Sequence, residues 1–259
     1  MNELFEIIHE DADLLLINKP ADLVCHPTKG DEYSSLISRV RLHLERTQQA
    51  VVPQLINRLD RETSGIVLVA KNPAAALTLR RQWEGGAVKK RYLAIVHGES
   101  REEQFVINAP LGRDEASIVA IKDCVRADGA QAVTEVRRLG SFTREGVLFS
   151  LLEVLPRSGR KHQIRIHLAH AGHPIVGDKI YGGDETFYLE FVTGILSPER
   201  AARLLLPNHA LHGVKLEFDW RGSPVCFHAP VPAMFAGFVS LELQSVLHQN
   251  PAPGLSTNG

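Results

Sequence analysis

INRLDRETSGIVLVAK, residues Ile56 to Lys71, carries two signals that pull apart. Gly65 to Ala70 is apolar and partly β-branched, with the length of a buried strand. Just ahead of it stand an Arg-x-Asp pair, Arg58 and Asp60, and a Thr-Ser-Gly turn. An acid before a strand is most often a turn residue. It can also be a carboxylate held out into a cleft for chemistry, and the surrounding chain has to decide.

After the strand, NPAAALTLRRQWEGG has strong helix punctuation: Asn72 as N-cap, Pro73 at the first helical position and Gly85-Gly86 at the end. Before it, FEIIHEDADLLLINKP predicts two short strands joined by the acidic turn Asp11-Ala12-Asp13. Leu36, Ile37, Val40 and Leu44 recur at helical spacing, which predicts a helix over residues 31–49 with Asp31 or Ser34 as N-cap. Strands are expected at residues 88–97, 104–108, 133–139 and 147–155. So many strands without interleaved helices predict an α+β fold with a mixed, mostly antiparallel central sheet flanked by helices. A helix over residues 162–171, stopped by Gly172, a short helix near residues 198–206, and strands near 209–218 and 224–228 follow. A last helix is expected over residues 231–247. One domain over residues 1–247 is expected, with a disordered Pro/Gly-rich tail at 248–259.

The chain has 259 residues, enough to bury a sizeable core, with 44% apolar and 23% charged residues. No apolar run approaches the ~20 residues of a membrane helix, and the N-terminus lacks the pattern of a secretory signal. Cys25, Cys124 and Cys226 lie far apart in no CxxC pair. They argue for a reduced, cytoplasmic setting and against a disulfide framework or zinc knuckle. A net charge of −1 counts against binding phosphate backbones. Local charge says otherwise: residues 154–177 contain no Asp or Glu but include Arg157, Arg160, Lys161 and Arg165, and Lys89-Lys90-Arg91 is a second basic cluster.

Three long stretches resemble, in order, the motifs of RluA-type RNA pseudouridine synthases: RLDRETSG around Asp60, KKRYLAIVHG from Lys89, and GRKHQIRIHLAHAGHPIVGDKIYG from Gly159. The weaker INKPADLVCHP, HALHGVKLEF and PVCFHAP segments also fit, so the resemblance spans roughly residues 5–232. It implies the pseudouridine synthase fold with a cleft across the sheet, and an isomerisation that needs no redox partner, metal or nucleotide cofactor. Asp60 corresponds to the catalytic aspartate, which attacks the ribose or the base or removes a ribose proton. Tyr92 corresponds to the tyrosine that stacks on the target base, and Arg165 to the arginine that ion-pairs with the aspartate. Arg58 matches the arginine that fills the space left by the extruded base. Ile164 is implied in the apolar wall, and Lys89, Lys90, Arg157, Arg160 and Lys161 are candidates for phosphate contacts.

One departure stands out. The family usually has His before RLD, and here the position is Asn57. An amide hydrogen-bonds but does not titrate near neutrality, so the change bears on the substrate contact and not on the reaction class. Many relatives carry a small RNA-binding domain ahead of the catalytic one; with the first strand starting near Phe5, the catalytic domain alone is expected. The expected partner is ribosomal or transfer RNA, with no membrane, no obligatory protein partner and a monomeric state. Two rivals are a catalytically inert RNA-binding protein of the same fold and a metal-dependent hydrolase built on His162, His167, His170 and His173. The second lacks an HExxH pattern or nearby carboxylate ligands.

Overall fold

The computed structural model describes residues 5–27, 34–49 and 51–248. The chain divides into two compact units, each gathered from separate stretches. Met1–Lys90, Gly213–Pro232 and Leu247–Gly259 form the first, Arg91–His212 and Ala233–Val246 the second.

The first unit starts with β1 (Glu6–Glu10) and β2 (Leu14–Lys19), an antiparallel pair. Their turn closes because the Asp11 carboxylate accepts from the amides of Asp13 and Leu14 at 2.8 and 2.7 Å. β2 pairs antiparallel with β4 (Ser64–Ala70), from Leu14 opposite Ala70 to Lys19 opposite Gly65. All seven residues of β4 are buried, as its unbroken apolar run predicts. Gly65 has φ +120°, and a Cβ there would collide with the Gly213 backbone, so only glycine fits. Two-residue β3 (Gln54–Leu55) pairs with the far end of β4. On the next position lies β11 (Leu211–Trp220), with β12 (Ser223–His228) antiparallel to it.

Helix α1 (Leu36–Arg46) buries Leu36, Ile37, Val40 and Leu44. Its N-cap is Ser35, whose hydroxyl accepts from the Ser38 amide, so the helix begins later than its sequence suggests. Ser34 is not the cap, and Asp31 lies outside the described residues. Helix α2 (Pro73–Glu84) starts at Asn72, whose side-chain Oδ1 accepts from Ala75 N at 2.9 Å, and ends at Gly85. Its Ala75, Ala76 and Leu79 pack with Leu16, Leu68, Phe218 and Phe227 into this unit's core.

The second unit has strands in the order β5 (Lys89–His97), β10 (Val147–Pro156), β9 (Val133–Arg144) and β6 (Gln104–Asn108), all antiparallel. A separate hairpin joins β7 (Leu111–Arg113) to β8 (Asp123–Val125). β9 runs past the expected end at Leu139. Gly140 does not break it; it makes room for a neighbour, since a Cβ there would lie 2.5 Å from Leu243. The register slips nearby, between Leu151 and Leu152 of β10.

Helices α3 (Gln163–His170), α4 (Thr186–Thr193) and α5 (Pro198–Ala202) follow β10. The expected final helix is two: α6 (Ala233–Phe238) and α7 (Leu241–His248). Arg144 donates to the carbonyls of Gly237 and Phe238, which a further turn would need, and its guanidinium lies 4.7 Å from the Phe238 ring. α4 is rich in β-branched and aromatic residues, and no sequence signal announces it. Arg200 grips it from the side, reaching Glu190 at 2.6 Å and Thr186 at 2.8 Å. The tail at 249–259 lies outside the described residues. The α+β class with antiparallel pairing agrees with the strand order in the sequence. Among the described residues, no helix is long and apolar enough to cross a membrane.

Candidate active site

In the first unit, Asp60 sits on the loop between β3 and β4, and side chains hold that loop by its backbone. Ile56 still donates to Leu68 O in sheet fashion, at 2.9 Å. At Asn57 the backbone leaves the sheet and the side chain takes its place. The Asn57 amide donates to Ile66 O at 3.0 Å and accepts from Leu68 N at 2.8 Å, standing in for one more peptide. Asn57 is buried with both ends of its amide engaged by β4, so the residue that replaces the usual histidine works here as a rung of the sheet.

Leu59 is fixed next: the Cys25 sulfur lies 3.4 Å from both its N–H and its carbonyl. Asp60 is half-buried, and its carbonyl accepts from Thr63 N at 3.1 Å to close the turn. Beyond it, the Arg61 carbonyl is held by Lys19 at 3.1 Å. Lys19 is 0% exposed, and its ammonium also donates to Pro20 O at 2.7 Å and Leu23 O at 2.9 Å. Burial pushes the Lys19 pKa down to about 8, against the opposing pull of Cys25, Asp60 and Asp22. The Lys19 ammonium thus ties the turn that follows Pro20 to the Asp60 loop. Arg58 is exposed.

In the second unit, Tyr92 is half-buried near the start of β5, opposite Val154. Its neighbour Arg91 pairs with buried Glu153 at 2.8 Å. In the first unit Lys89 is exposed, whereas the Lys90 ammonium lies 5.5 Å from the Trp83 ring centroid and burial lowers its pKa.

Helix α3 is unusual in burying six consecutive residues, Gln163 to Leu168. Three of these are polar, and each finds partners. Gln163 accepts from the Ser158 hydroxyl at 2.8 Å and Arg160 N at 3.0 Å, and donates to Val133 O at 3.0 Å and Thr134 Oγ1 at 2.9 Å. This fixes the loop before the helix, where His162 takes a left-handed φ of 55°. His167 bonds to Thr134 Oγ1 at 2.8 Å and Ala109 O at 2.9 Å, so Nε2 carries the proton. Arg165 donates from Nε and Nη2 to Asp178 at 2.7 and 2.8 Å. Ile164 is buried.

The basic cluster before α3 is not acid-free in space. Glu135 grips Arg157 at 2.7 and 2.9 Å, and Asp123 pairs with Lys161 at 2.9 Å. Arg160 is exposed and donates to Gln131 O at 3.2 Å. The histidines at and before α3 are spent on structure or solvent: His162, ahead of the helix, meets the Tyr181 hydroxyl at 2.9 Å, His167 is internal and His170 is exposed. Among the described residues, no group of three or more His, Cys, Asp or Glu is placed to hold a metal.

Asp178 and Cys25 escaped the sequence reading. Their sequence neighbours carry the signal only faintly: Asp178 follows Gly177 in a glycine-rich turn, and Cys25 follows the INKP turn.

A family model described as RNA pseudouridylate synthase matches residues 13–170. The chain is 35% identical to a ribosomal large subunit pseudouridine synthase D of Nitrosomonas europaea over 88% of this chain and 62% of that one. It is 36% identical to an uncharacterized RNA pseudouridine synthase of Bacillus subtilis, over 69% of this chain and 58% of that one. The chain thus spans about three fifths of the length of these curated relatives. Among solved structures, human RNA pseudouridylate synthase domain containing 1 superposes with a TM-score of 0.70 at 25% identity, covering 98% of this chain and 99% of that one.

Proposed function

Since this chain belongs to the RNA pseudouridylate synthase family, we propose that it isomerises uridine to pseudouridine in structured RNA through a catalytic module over residues 1–247. Asp60 is the catalytic carboxylate, Tyr92 stacks on the target base and Arg165 is the ion partner of Asp60. The observation that carries this reading is the Asp60 loop. Asn57, Cys25 and Lys19, all buried, hold the backbone on both sides of one half-buried acid. A turn that only starts a strand needs no such framing.

The chemistry fits a lone carboxylate. The bond from ribose to the ring nitrogen breaks, the uracil turns, a ring carbon bonds to the ribose, that carbon's proton leaves to solvent, and the freed ring nitrogen takes up a proton in exchange. Substrate and product have the same atoms, so no co-reactant enters the balance. Asp60 serves by attacking ribose or base, or by taking a ribose proton. A guanidinium paired with a carboxylate favours the ionised form and aims it through paired hydrogen bonds, the part proposed for Arg165.

A uridine within a stem must first leave the stack, at a cost of a few kcal/mol. Arg58, exposed two residues before Asp60, is suited to fill the gap. Arg58→Ala is expected to slow modification of a folded RNA at least ~10-fold more than of a short unstructured strand; equal losses would remove that role. Ile164 contributes to the apolar wall, and Lys89, Lys90, Arg160 and Lys161 to phosphate contacts. Asn57 acts through the backbone it holds rather than by touching RNA. Likeness to synthases named for the large ribosomal subunit puts ribosomal RNA ahead of transfer RNA as substrate. Mapping pseudouridines in ribosomal and transfer RNA from cells with and without this protein tests the reading. At least one site should disappear, and an unchanged map would refute it.

A further inference from the structure

Asp178 lies in the turn after α3 and its side chain is 0% exposed. An ionised carboxylate that deep in a protein needs a reason, because desolvation alone disfavours it. The reason is local and complete. Oδ2 accepts from Arg165 Nε at 2.7 Å. Oδ1 accepts from Arg165 Nη2 at 2.8 Å, from Ile180 N at 2.9 Å and from Tyr181 N at 3.0 Å. Burial pushes the carboxyl up, but the charge and hydrogen bonds of Arg165, the charge of His209 and the Tyr181 amide outweigh it and hold it well below the usual carboxylate range.

The turn itself is built to put the carboxylate there. Gly177 has φ +81°, and a Cβ on it would lie 2.6 Å from Asn208 O. Gly182 donates back to Asp178 O at 3.0 Å, and a Cβ on Gly182 would collide with that same oxygen. The next aromatic, Tyr181, lies with its ring 5.0 Å from the Arg165 guanidinium carbon. That ring is anchored in turn, because its hydroxyl bonds to His162 Nδ1 at 2.9 Å and accepts from Asp123 N at 3.2 Å.

A guanidinium is a rigid planar fork, so gripping the Nε–Nη2 edge fixes the direction of the Nη1 side as well. We infer that Asp178 is a positioning residue: with the Tyr181 ring beside it, its carboxylate sets the plane and direction in which Arg165 presents its guanidinium. The inference rests on the proposed role of Arg165. It has a sign that separates it from a purely electrostatic effect. Removing the Asp178 charge would by Coulomb's law strengthen the pull of Arg165 on any other anion. Loosening the fork would instead weaken catalysis, since a misplacement of about 1 Å can cost ~100-fold.

The test is single-turnover release of tritium from RNA labelled at uridine C5 and taken from cells lacking this protein. It is run on wild type, Asp178→Asn, Arg165→Met and the double variant, with RNA affinity and melting measured alongside. Asp178→Asn should lower the rate constant about 100-fold while affinity stays within about threefold. In the Arg165→Met background the same change should alter the rate less than about threefold, because Asp178 acts through Arg165. A rate for Asp178→Asn near or above wild type overturns the inference, as does an equal loss in both backgrounds, which would mark a role in folding alone. Should the Asn variant fail to fold, Tyr181→Phe decides. It keeps Asp178, drops the two hydroxyl bonds, and should cut the rate about 10-fold at unchanged affinity; no change overturns the inference. A wild-type protein that releases no tritium refutes the functional reading, and the inference falls with it.

Discussion

The loop of Asp60 and the helix of Arg165 hold their key residues in opposite ways. Around Asp60 the bonds go to the main chain. The Asn57 amide replaces a peptide in the sheet, Cys25 meets the Leu59 backbone, and Lys19 collects three carbonyls. Around Arg165 the bond goes to the functional group itself, with Asp178 on one edge of the guanidinium and Tyr181 against it. The proposed roles match this difference: a carboxylate that meets a changing substrate is well placed by fixing its loop, and a planar cation that gives direction by fixing its plane.

The contrast sets the order of mutational effects. Asp178→Ala should be the most damaging, because it removes the buried carboxylate that grips the Nε–Nη2 edge of the buried Arg165 guanidinium; denaturant unfolding should show a loss of about 3–5 kcal/mol. Stability within about 1 kcal/mol of wild type would mean that the pair is not a structural support.

Lys19→Met should come next, at about 2 kcal/mol, since three carbonyls lose a donor while the desolvation of one charge is relieved. Lys19 also has a pH signature. Its pKa falls from 10.5 to about 8 on folding, so between those values the unfolded chain holds more protons and stability rises with pH. The Met variant should flatten that rise, measured as melting temperature against pH; an unchanged slope would deny the shift.

The smallest effect is expected at Glu10, whose carboxylate takes Lys71 at 2.9 Å, His43 at 2.8 Å and Gln49 at 3.1 Å. Burial pushes its pKa up, but those partners win and hold it at about 2. Its contribution is present above the ordinary value of 4.5 and lost as pH falls from there toward 2. Glu10 is one-fifth exposed, so solvent screening trims this to about 1 kcal/mol. Glu10→Gln should be less acid-sensitive by that amount in melts across this range, and a parallel curve would rule it out.

What the sequence revealed divides along the same line. β4, α2 and the β1–β2 turn were legible because their causes are local: an unbroken apolar run, an Asn-Pro start with a Gly-Gly end, and an aspartate accepting from its own turn. The Asp60 loop was legible as a motif, but its frame was not, because Lys19 and Cys25 reach it from about 40 and 34 residues away. Asp178 was hidden for the same reason. Nothing in the glycine turn says that its acid faces a helix thirteen residues earlier. The far end of β9 was not legible, because the room that Gly140 leaves is filled by Leu243, about a hundred residues later in the chain. The acid-free run at residues 154–177 hid its partners too, since Glu135 and Asp123 meet Arg157 and Lys161 from β9 and β8.

The central claim is that Asp60 performs the chemistry, and one comparison tests it most directly. Purified wild-type protein and Asp60→Asn are each given ribosomal RNA from cells lacking the protein, and new pseudouridine is quantified after digestion to nucleosides. The account predicts conversion by wild type and a loss of at least ~1000-fold in the variant, with its melting temperature preserved. A folded Asp60→Asn protein that still makes pseudouridine at a rate near wild type would contradict it.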